Sequence, residues 1–544
     1  MREDRGRRTT SPAGPTTGGA AHADAAAWAL DRREVERLLV HLVASGPPTV
    51  APRAPFTGAL LAELSRTIEP DVAVAVERAR AAQRTWAARP LRDRAAVLLR
   101  VHDLVLDRQD EVLDLIQLEN GKARASAYEE VADIALVARH YARRGHGYLT
   151  PRRVPGLVPG VTGASVLRHP VGVVGIIAPF NYPLVLSLGD ALPALLAGNA
   201  VVVKPDEQTT LTALWGAELL VAAGLPPDLM LVLSGDGPTV GAALTAAVDH
   251  VIFTGSTRTG RVVASAAGER LIGATLELGG KNALYVAADA DPAVAAEGAV
   301  RASFASTGQL CVSMERLVVH EDIAEAFLAE LVPRVRALRL GRGLDYSADV
   351  GSLTSAAQLA RVQDHVDAAV REGARVLAGG RHRPDVGPLF YEPTVLDGVP
   401  AHSPVFADET FGPVVAIHRV PDDESALALI NESVFGLNAS IWTRDVARGR
   451  RLAARVEAGS VNVNEGYALA WGTTAAPSGG VKDSGLGRRH GAEGIWATTW
   501  TQTVAVQHGA HHGLGLRRLY ALPAERWTAL FTRVLRLMKL LRLP

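Results

Sequence analysis

The amino-acid sequence predicts an α/β fold built on parallel sheets, and three observations carry that expectation. From about residue 166, short apolar runs at 173–178, 200–203, 229–233 and 250–253 alternate with helix-length stretches such as 212–223, the rhythm of βαβ units. The runs are apolar throughout, as strands covered on both faces must be. The chain has 544 residues, too many for one simple core, so two or more domains are expected.

In chain order, residues 1–23 read as a disordered tail rich in Gly, Pro, Thr and Arg. A helix follows, with Asp31 and Glu34 spaced as a capping box and Val35, Leu38, Leu39 and Leu42 on one face. Residues 69–122 alternate charged and Ala/Leu-rich helical segments. Residues 171–203 carry only one charge, Asp190. A membrane span is nevertheless not expected there, because Pro179, Asn181, Pro183 and Pro193 would break its helix. Two buried strands separated by a loop and a helix fit instead. Runs at 284–287 and 316–320 open a second α/β block that extends to about residue 480. Near the C-terminus, Trp527, Leu530, Phe531, Val534, Leu535, Met538 and Leu541 form a stripe at helical spacing. Arg526, Arg533 and Arg536 lie largely opposite it, with Leu540 intruding. Such a helix suits peripheral contact with an anionic membrane. Packing on its own domain or on a neighbouring subunit is the preferred expectation.

Composition excludes several classes of function. Lys plus Arg and Asp plus Glu are both 57, so there is no basic surplus to drive nucleic-acid binding. A single cysteine rules out an intramolecular disulfide framework and a Cys-rich metal site, and it suits a reducing cytoplasm. No metal is expected. Arg7-Arg8 is followed by no apolar core, so a secretory signal is not expected either.

Three residues are candidates for chemistry. Cys311 ends Thr307-Gly308-Gln309-Leu310-Cys311. The turn before it lets backbone N–H groups converge near the sulfur, as attack on a carbonyl requires; a buried small hydrophobe is an equally good local reading. Glu277 sits in an apolar run ending in Gly279-Gly280, where desolvation would raise its pKa into the range of a general base. A simple pair with Lys281 is the commoner fate of such a residue. Asn181, in a proline-fixed loop after a strand, can donate to an oxyanion or merely satisfy loop backbone. Two further loops follow strands. Gly255 and Ser256 open a helix whose N-terminus can receive a pyrophosphate, although the G-x-G-x-x-G form is absent. Lys204 and Glu207 can reach ribose hydroxyls or simply face solvent.

Taken in order, these pieces resemble the aldehyde dehydrogenase superfamily over residues 57–507. The motifs are Pro-Phe-Asn-Tyr-Pro at 179–183, Lys-Pro-Asp-Glu-Gln-Thr at 204–209 and Phe-Thr-Gly-Ser at 253–256. Glu-Leu-Gly-Gly-Lys follows at 277–281, then Gly-Gln-Leu-Cys at 308–311, Glu-Thr-Phe-Gly-Pro at 409–413 and Pro-Ser-Gly-Gly-Val-Lys at 477–482. The resemblance implies that Cys311 attacks an aldehyde, that Asn181 and the Cys311 N–H hold the oxyanion, and that Glu277 activates the water that hydrolyses a thioester. It places an NAD or NADP cofactor against Phe180, Lys204, Pro205, Asp206, Glu207, Gly255, Ser256, Leu278, Glu409 and Phe411. It also implies a Rossmann-type cofactor domain over 46–147 and 168–278, a catalytic α/β domain over 279–498, and a small β bridging segment over 148–167 and 499–507 that makes a homo-oligomer. Residues 1–45 and 508–544 lie outside these units.

Within the superfamily the chain is similar to actinobacterial-type succinate-semialdehyde dehydrogenases described as NADP-dependent, on Gly-Pro-Leu-Phe-Tyr-Glu-Pro-Thr at 387–394, residues 463–472 and Gly-Arg-Arg-His-Gly at 487–491. Two positions depart from that subgroup. Many such enzymes place an arginine six residues before the nucleophile, where this chain has Ala305, and Tyr467 and Trp471 near the substrate mouth suit an apolar or aromatic aldehyde. Glu207 suits the ribose hydroxyls of NAD and should repel the 2′-phosphate of NADP, so NAD or dual use is expected. A CoA-acylating enzyme is disfavoured by Glu277, and a catalytically silent, membrane-associated scaffold by the retention of Cys311, Glu277 and Asn181.

Overall fold

The computed structural model describes residues 30–158, 161–508 and 516–542; the N-terminal tail expected at 1–23 lies outside them. Two parallel sheets organise the molecule. The first has six strands in the order Gly485–Leu486, Gly273–Glu277, His250–Thr254, Val173–Ile177, Ala200–Lys204, Met230–Val232. All run parallel except the Gly485–Leu486 edge. The second has seven strands in the order Arg375–Ala378, Thr394–Asp397, Val414–Val420, Met314–His320, Asn282–Val286, Asn438–Trp442, Ser460–Val463. Only the first of these is antiparallel to its neighbour.

The inner strands are predominantly apolar because helices cover both faces. Every residue of Val173–Ile177, Ala200–Lys204 and His250–Thr254 is buried, and Thr210–Ala222 and Ala191–Ala197 are among the helices that bury them. Burial of this kind is the main favourable term in folding. The weakly charged stretch at 171–203 resolves as expected into two strands, a loop, a π-turn at Val185–Gly189 and the short helix Ala191–Ala197. Among the described residues no helix is long and apolar enough to cross a membrane.

A third, antiparallel sheet joins Arg152–Pro155, Thr162–Pro170 and Thr499–Gln507, with Thr499 opposite Pro170 and Gln507 opposite Thr162. Its outer strand, Thr499–Gln507, is largely exposed.

Two local expectations change. Asp31 caps the helix Arg32–Leu39, but its carboxylate accepts from Arg33 N at 2.9 Å, one residue short of the amide used in a capping box. The amphipathic helix forms as Ala524–Leu540, and none of its residues is buried. Packing of its apolar stripe on its own domain is therefore not found among the described residues.

Candidate active site

The residues expected to do chemistry converge from three separate connections. Cys311 follows the helix Pro292–Phe304 through a turn in which Ser306, Thr307 and Gly308 all have positive φ, at 52°, 59° and 69°. Three left-handed residues in a row are sterically costly. Gly308 has no substitute, since a Cβ there would lie 2.1 Å from the Gly412 carbonyl oxygen. Neighbours hold the turn: Ser306 N donates to Ser126 Oγ at 2.9 Å, and Asn282 Nδ2 donates to the Cys311 carbonyl at 2.7 Å.

Asn181 lies in the loop after the strand Val173–Ile177. Its Nδ2 donates to the Gln309 carbonyl at 3.1 Å, which fixes it beside the cysteine turn. The amide carries two N–H groups, so one remains for a ligand. The loop itself rests on a buried cation: Lys122 Nζ donates to the Asn181 carbonyl at 2.5 Å and to Glu130 Oε1 at 2.8 Å, while Glu130 Oε2 accepts from Leu184 N at 2.8 Å.

Glu277 is the last residue of its strand and is 7% exposed. Its Oε1 has no hydrogen-bond partner. Burial pushes this carboxyl up to about 8, with Arg489 opposing and Asp190 adding to the rise. The alternative pairing with Lys281 is not formed, because Lys281 Nζ binds Glu315 at 2.5 Å. Glu315 in turn accepts from Thr410 N and Phe411 N at 2.9 and 2.8 Å, anchoring the loop that carries Glu409. Burial, followed by the charges of Glu277 and Glu409, pushes the half-buried Cys311 thiol up to about 12. The thiol therefore rests protonated, with the Glu277 and Glu409 carboxyls near enough for their charges to act on it.

One cavity of about 170 Å³ brings together Asn181, Cys311, Phe180, Gly255, Ser256, Leu278, Glu409 and Phe411. Glu277 does not line it, and neither do Lys204, Pro205, Asp206 and Glu207. The latter sit at the end of the strand Ala200–Lys204, where Asp206 caps the turn Glu207–Thr209 by accepting from Gln208 N at 3.0 Å. The residues present fit a dinucleotide. Gly280 N donates to Glu409 Oε1 at 2.9 Å, and a Cβ at Gly279 would lie 2.7 Å from Glu409 Oε2, so glycine there admits the carboxylate. Ser256 caps the helix Thr257–Glu269, leaving its N-terminus as an anion site. The rings of Phe180 and Phe411 meet edge to face at 5.9 Å. Oε1 of Glu207 is buried with no aligned hydrogen bond.

A thiol and an amide donor lining one cavity, with a desolvated carboxyl whose charge reaches the thiol, form a constellation for acyl transfer. Comparison with known proteins decides the lineage: a family model described as the aldehyde dehydrogenase family matches residues 43–504. The chain belongs to the aldehyde dehydrogenase family. A Mycolicibacterium smegmatis relative named "Putative succinate-semialdehyde dehydrogenase" with NADP(+) is 52% identical over 450 residues, covering 83% of this chain and 87% of that protein. A Mycobacterium tuberculosis H37Rv relative with the same name, numbered 2, is 48% identical over 472 residues, covering 87% and 90%. Among solved structures, succinate-semialdehyde dehydrogenase from Burkholderia pseudomallei superposes with a TM-score of 0.80 at 34% identity, covering 84% of this chain and 94% of that one. An indole-3-acetaldehyde dehydrogenase complexed with NAD+ gives 0.79 at 33%, covering 84% and 93%. The protein is thus an aldehyde dehydrogenase, of a family that works with NAD(P).

Several residues of this aldehyde dehydrogenase site escaped the sequence reading. Gln358 and Arg361 line the same cavity. Gln358 Nε2 donates to the Phe411 carbonyl at 2.6 Å, and Arg361 donates to the Glu409 carbonyl. Their spacing of three on the helix Ala356–Arg371 puts them on one face, a signal that carries no chemistry by itself. Lys122, Glu130 and Glu315 were missed because their partners are distant in sequence.

Proposed function

We propose that the chain oxidises its aldehyde to the carboxylic acid through a thioester on Cys311. The supporting observation is that Cys311, Asn181 and Glu409 share one cavity, with the charge of the buried Glu277 carboxyl acting on the thiol. A bound nicotinamide supplies the hydride acceptor. The ionised form of Glu277, which burial disfavours until pH nears about 8, takes the thiol proton, and Cys311 Sγ adds to the aldehyde carbon. Asn181 Nδ2 and the Cys311 N–H hold the oxygen as it gains negative charge. Once hydride has left the adduct, a thioester remains on Cys311. Glu277, having released its first proton, takes a second from water as that water attacks the thioester; the acid leaves and the thiol is restored.

The first candidate substrate is succinate semialdehyde, supported by the names of the mycobacterial relatives. With Ala305 at the usual arginine position, its distal carboxylate needs another cation. Arg301, one turn earlier on the helix Pro292–Phe304, has a charge that acts on Tyr467 and is the group to test. A second reading, an apolar or aromatic aldehyde, is favoured by the aromatic wall: Tyr182 and Tyr467 both donate to Glu129 at 2.8 Å, and Trp471 lies 6.0 Å from the Tyr182 ring. A kcat/KM panel of aldehydes with each cofactor tests both. Succinate semialdehyde should lead, and Arg301→Ala should lower its kcat/KM about tenfold. A lead for an aromatic aldehyde untouched by Arg301→Ala would replace the first reading with the second.

NAD and NADP are both assigned as cofactors, with Glu207 favouring NAD. We assign cofactor binding to the six-stranded unit (46–147, 168–278), the nucleophile to the seven-stranded unit (279–498), and oligomerisation to the three-stranded sheet (148–167, 499–507) of a cytoplasmic homo-oligomer. The exposed edge Thr499–Gln507, with Trp500, Val504 and Val506 between 40% and 51% exposed, supports this. A neighbouring copy is also the occupant we assign to the apolar stripe of Ala524–Leu540, none of whose residues is buried; peripheral membrane contact is the less favoured alternative. A truncation before residue 509 that changes neither oligomer size nor vesicle binding would discard both.

A further inference from the structure

Outside the catalytic cavity, a cluster of charge at the end of the first sheet is completed by a residue from a different part of the chain. Arg66 precedes the helix Glu69–Ala87. Its backbone is pinned, with Arg66 N donating to the Pro47 carbonyl at 2.9 Å and its own carbonyl accepting from Gly46 N at 2.9 Å. Next to it, Thr67 N donates to the Ser234 carbonyl at 2.9 Å, stitching the segment to the exit of the strand Met230–Val232. The guanidinium then spans three groups. Its Nε donates to Thr49 Oγ1 at 3.0 Å, one terminal nitrogen donates to Asp236 Oδ2 at 2.9 Å, and the other lies 2.8 Å from Glu207 Oε1. The Glu207 contact is an ion pair without an aligned hydrogen bond. Lys204 is buried in the same cluster. The C-terminal ends of parallel strands are where open α/β sheets bind dinucleotides. Here a carboxylate at that end is matched by a cation held on three sides.

We propose that Arg66 is a cofactor-selecting residue: it leaves Glu207 for the 2′-phosphate of NADP, and stays on Asp236 when Glu207 binds the ribose hydroxyls of NAD. This rests on the reading of Glu207 as the ribose-facing group. A lone carboxylate would repel a 2′-phosphate, whereas a planar guanidinium beside it offers two parallel donors to phosphate oxygens. The ion pair keeps the guanidinium within reach at little reorganisation, because only the weakly aligned Glu207 contact has to be exchanged. The site therefore accepts both cofactors through one exchangeable partner.

The test is equilibrium binding of NADP, NAD, 2′,5′-ADP and 5′-AMP to the intact chain and to Arg66→Ala and Arg66→Lys, followed by calorimetry, with a thermal melt to confirm folding. Arg66→Ala should weaken NADP and 2′,5′-ADP by about 10- to 100-fold and leave NAD and 5′-AMP within about threefold. Arg66→Lys should recover part of the loss, and Glu207→Gln should strengthen NADP while weakening NAD. Equal losses for the 2′-phosphorylated and unphosphorylated ligands would overturn the assignment and make Arg66 a purely structural residue. A wild-type chain that binds none of the four would refute the cofactor reading itself, a result distinct from a failure of Arg66.

Discussion

Two regions of the molecule, an inner one at the catalytic cavity and an outer one at the end of the first sheet, treat carboxylates in opposite ways. At the inner end, Glu277 and Glu409 are taken out of water, and burial pushes their carboxyls up to about 8 and about 7. At the outer end, Glu207 and Asp236 are only partly buried and are bridged by Arg66. The inner environment stores basicity, because a desolvated carboxylate holds its proton near neutral pH and can exchange it with a thiol or with water. The outer environment cancels charge, leaving a surface that a ribose hydroxyl or a phosphate can approach. On the proposed reading, chemistry and cofactor choice are separated by how wet each acid is.

If that separation is real, changes at the inner end should abolish turnover without touching cofactor affinity. Cys311→Ala should lower kcat by at least roughly 10⁴-fold while calorimetry shows unchanged NAD(P) binding; lost binding would merge the two ends. Glu277→Gln should slow steady-state turnover by roughly 10²- to 10³-fold, with acylation the less affected step. Gly308→Ala would push a Cβ to 2.1 Å from the Gly412 carbonyl, shifting the cysteine turn; a kcat loss of roughly 10- to 100-fold at unaltered cofactor Kd is expected.

A smaller effect sharpens the contrast through pH. The folded chain holds the Glu277 proton up to about 8, whereas an unfolded chain releases it near the ordinary value of about 4.3. Between those values the native state binds the extra proton, so this group's contribution to stability is full below the lower value and is lost as pH rises through the upper one. Glu277→Gln cannot ionise and should escape the loss. Above pH 8 its Tm should exceed that of wild type by about 2–5 °C, with the gap closing on acidification; a gap that does not vary with pH would mean Glu277 is not desolvated. Least disruptive to chemistry should be Val504→Lys on the exposed edge strand, which should shift light-scattering mass toward a monomer while the groove still binds cofactor.

How far the sequence went follows the range of each interaction. The strands at 173–178, 200–203 and 250–253 were legible because complete burial leaves an uninterrupted apolar run, and the cysteine turn because its glycine is local. The desolvation of Glu277 was one of two readings its apolar run allowed, a pair with Lys281 being the commoner one. Asp31 was misjudged by one residue, since spacing alone does not fix which amide a cap accepts. Arg66 and Glu207 are 141 positions apart in number, and nothing near either names the other. The same holds for Lys281 with Glu315, where the sequence offered Glu277 as the nearer partner. The C-terminal stripe was legible as an amphipathic helix, but its partner is not encoded in its own spacing.

The most direct test of the account is to mix Glu277→Gln rapidly with aldehyde and oxidised cofactor and follow both reduced cofactor and intact mass. A burst of one reduced cofactor per active site, with an acyl group mapped to the peptide containing Cys311, is the predicted result. A burst with no acyl adduct, or an adduct anywhere else in the chain, would contradict it.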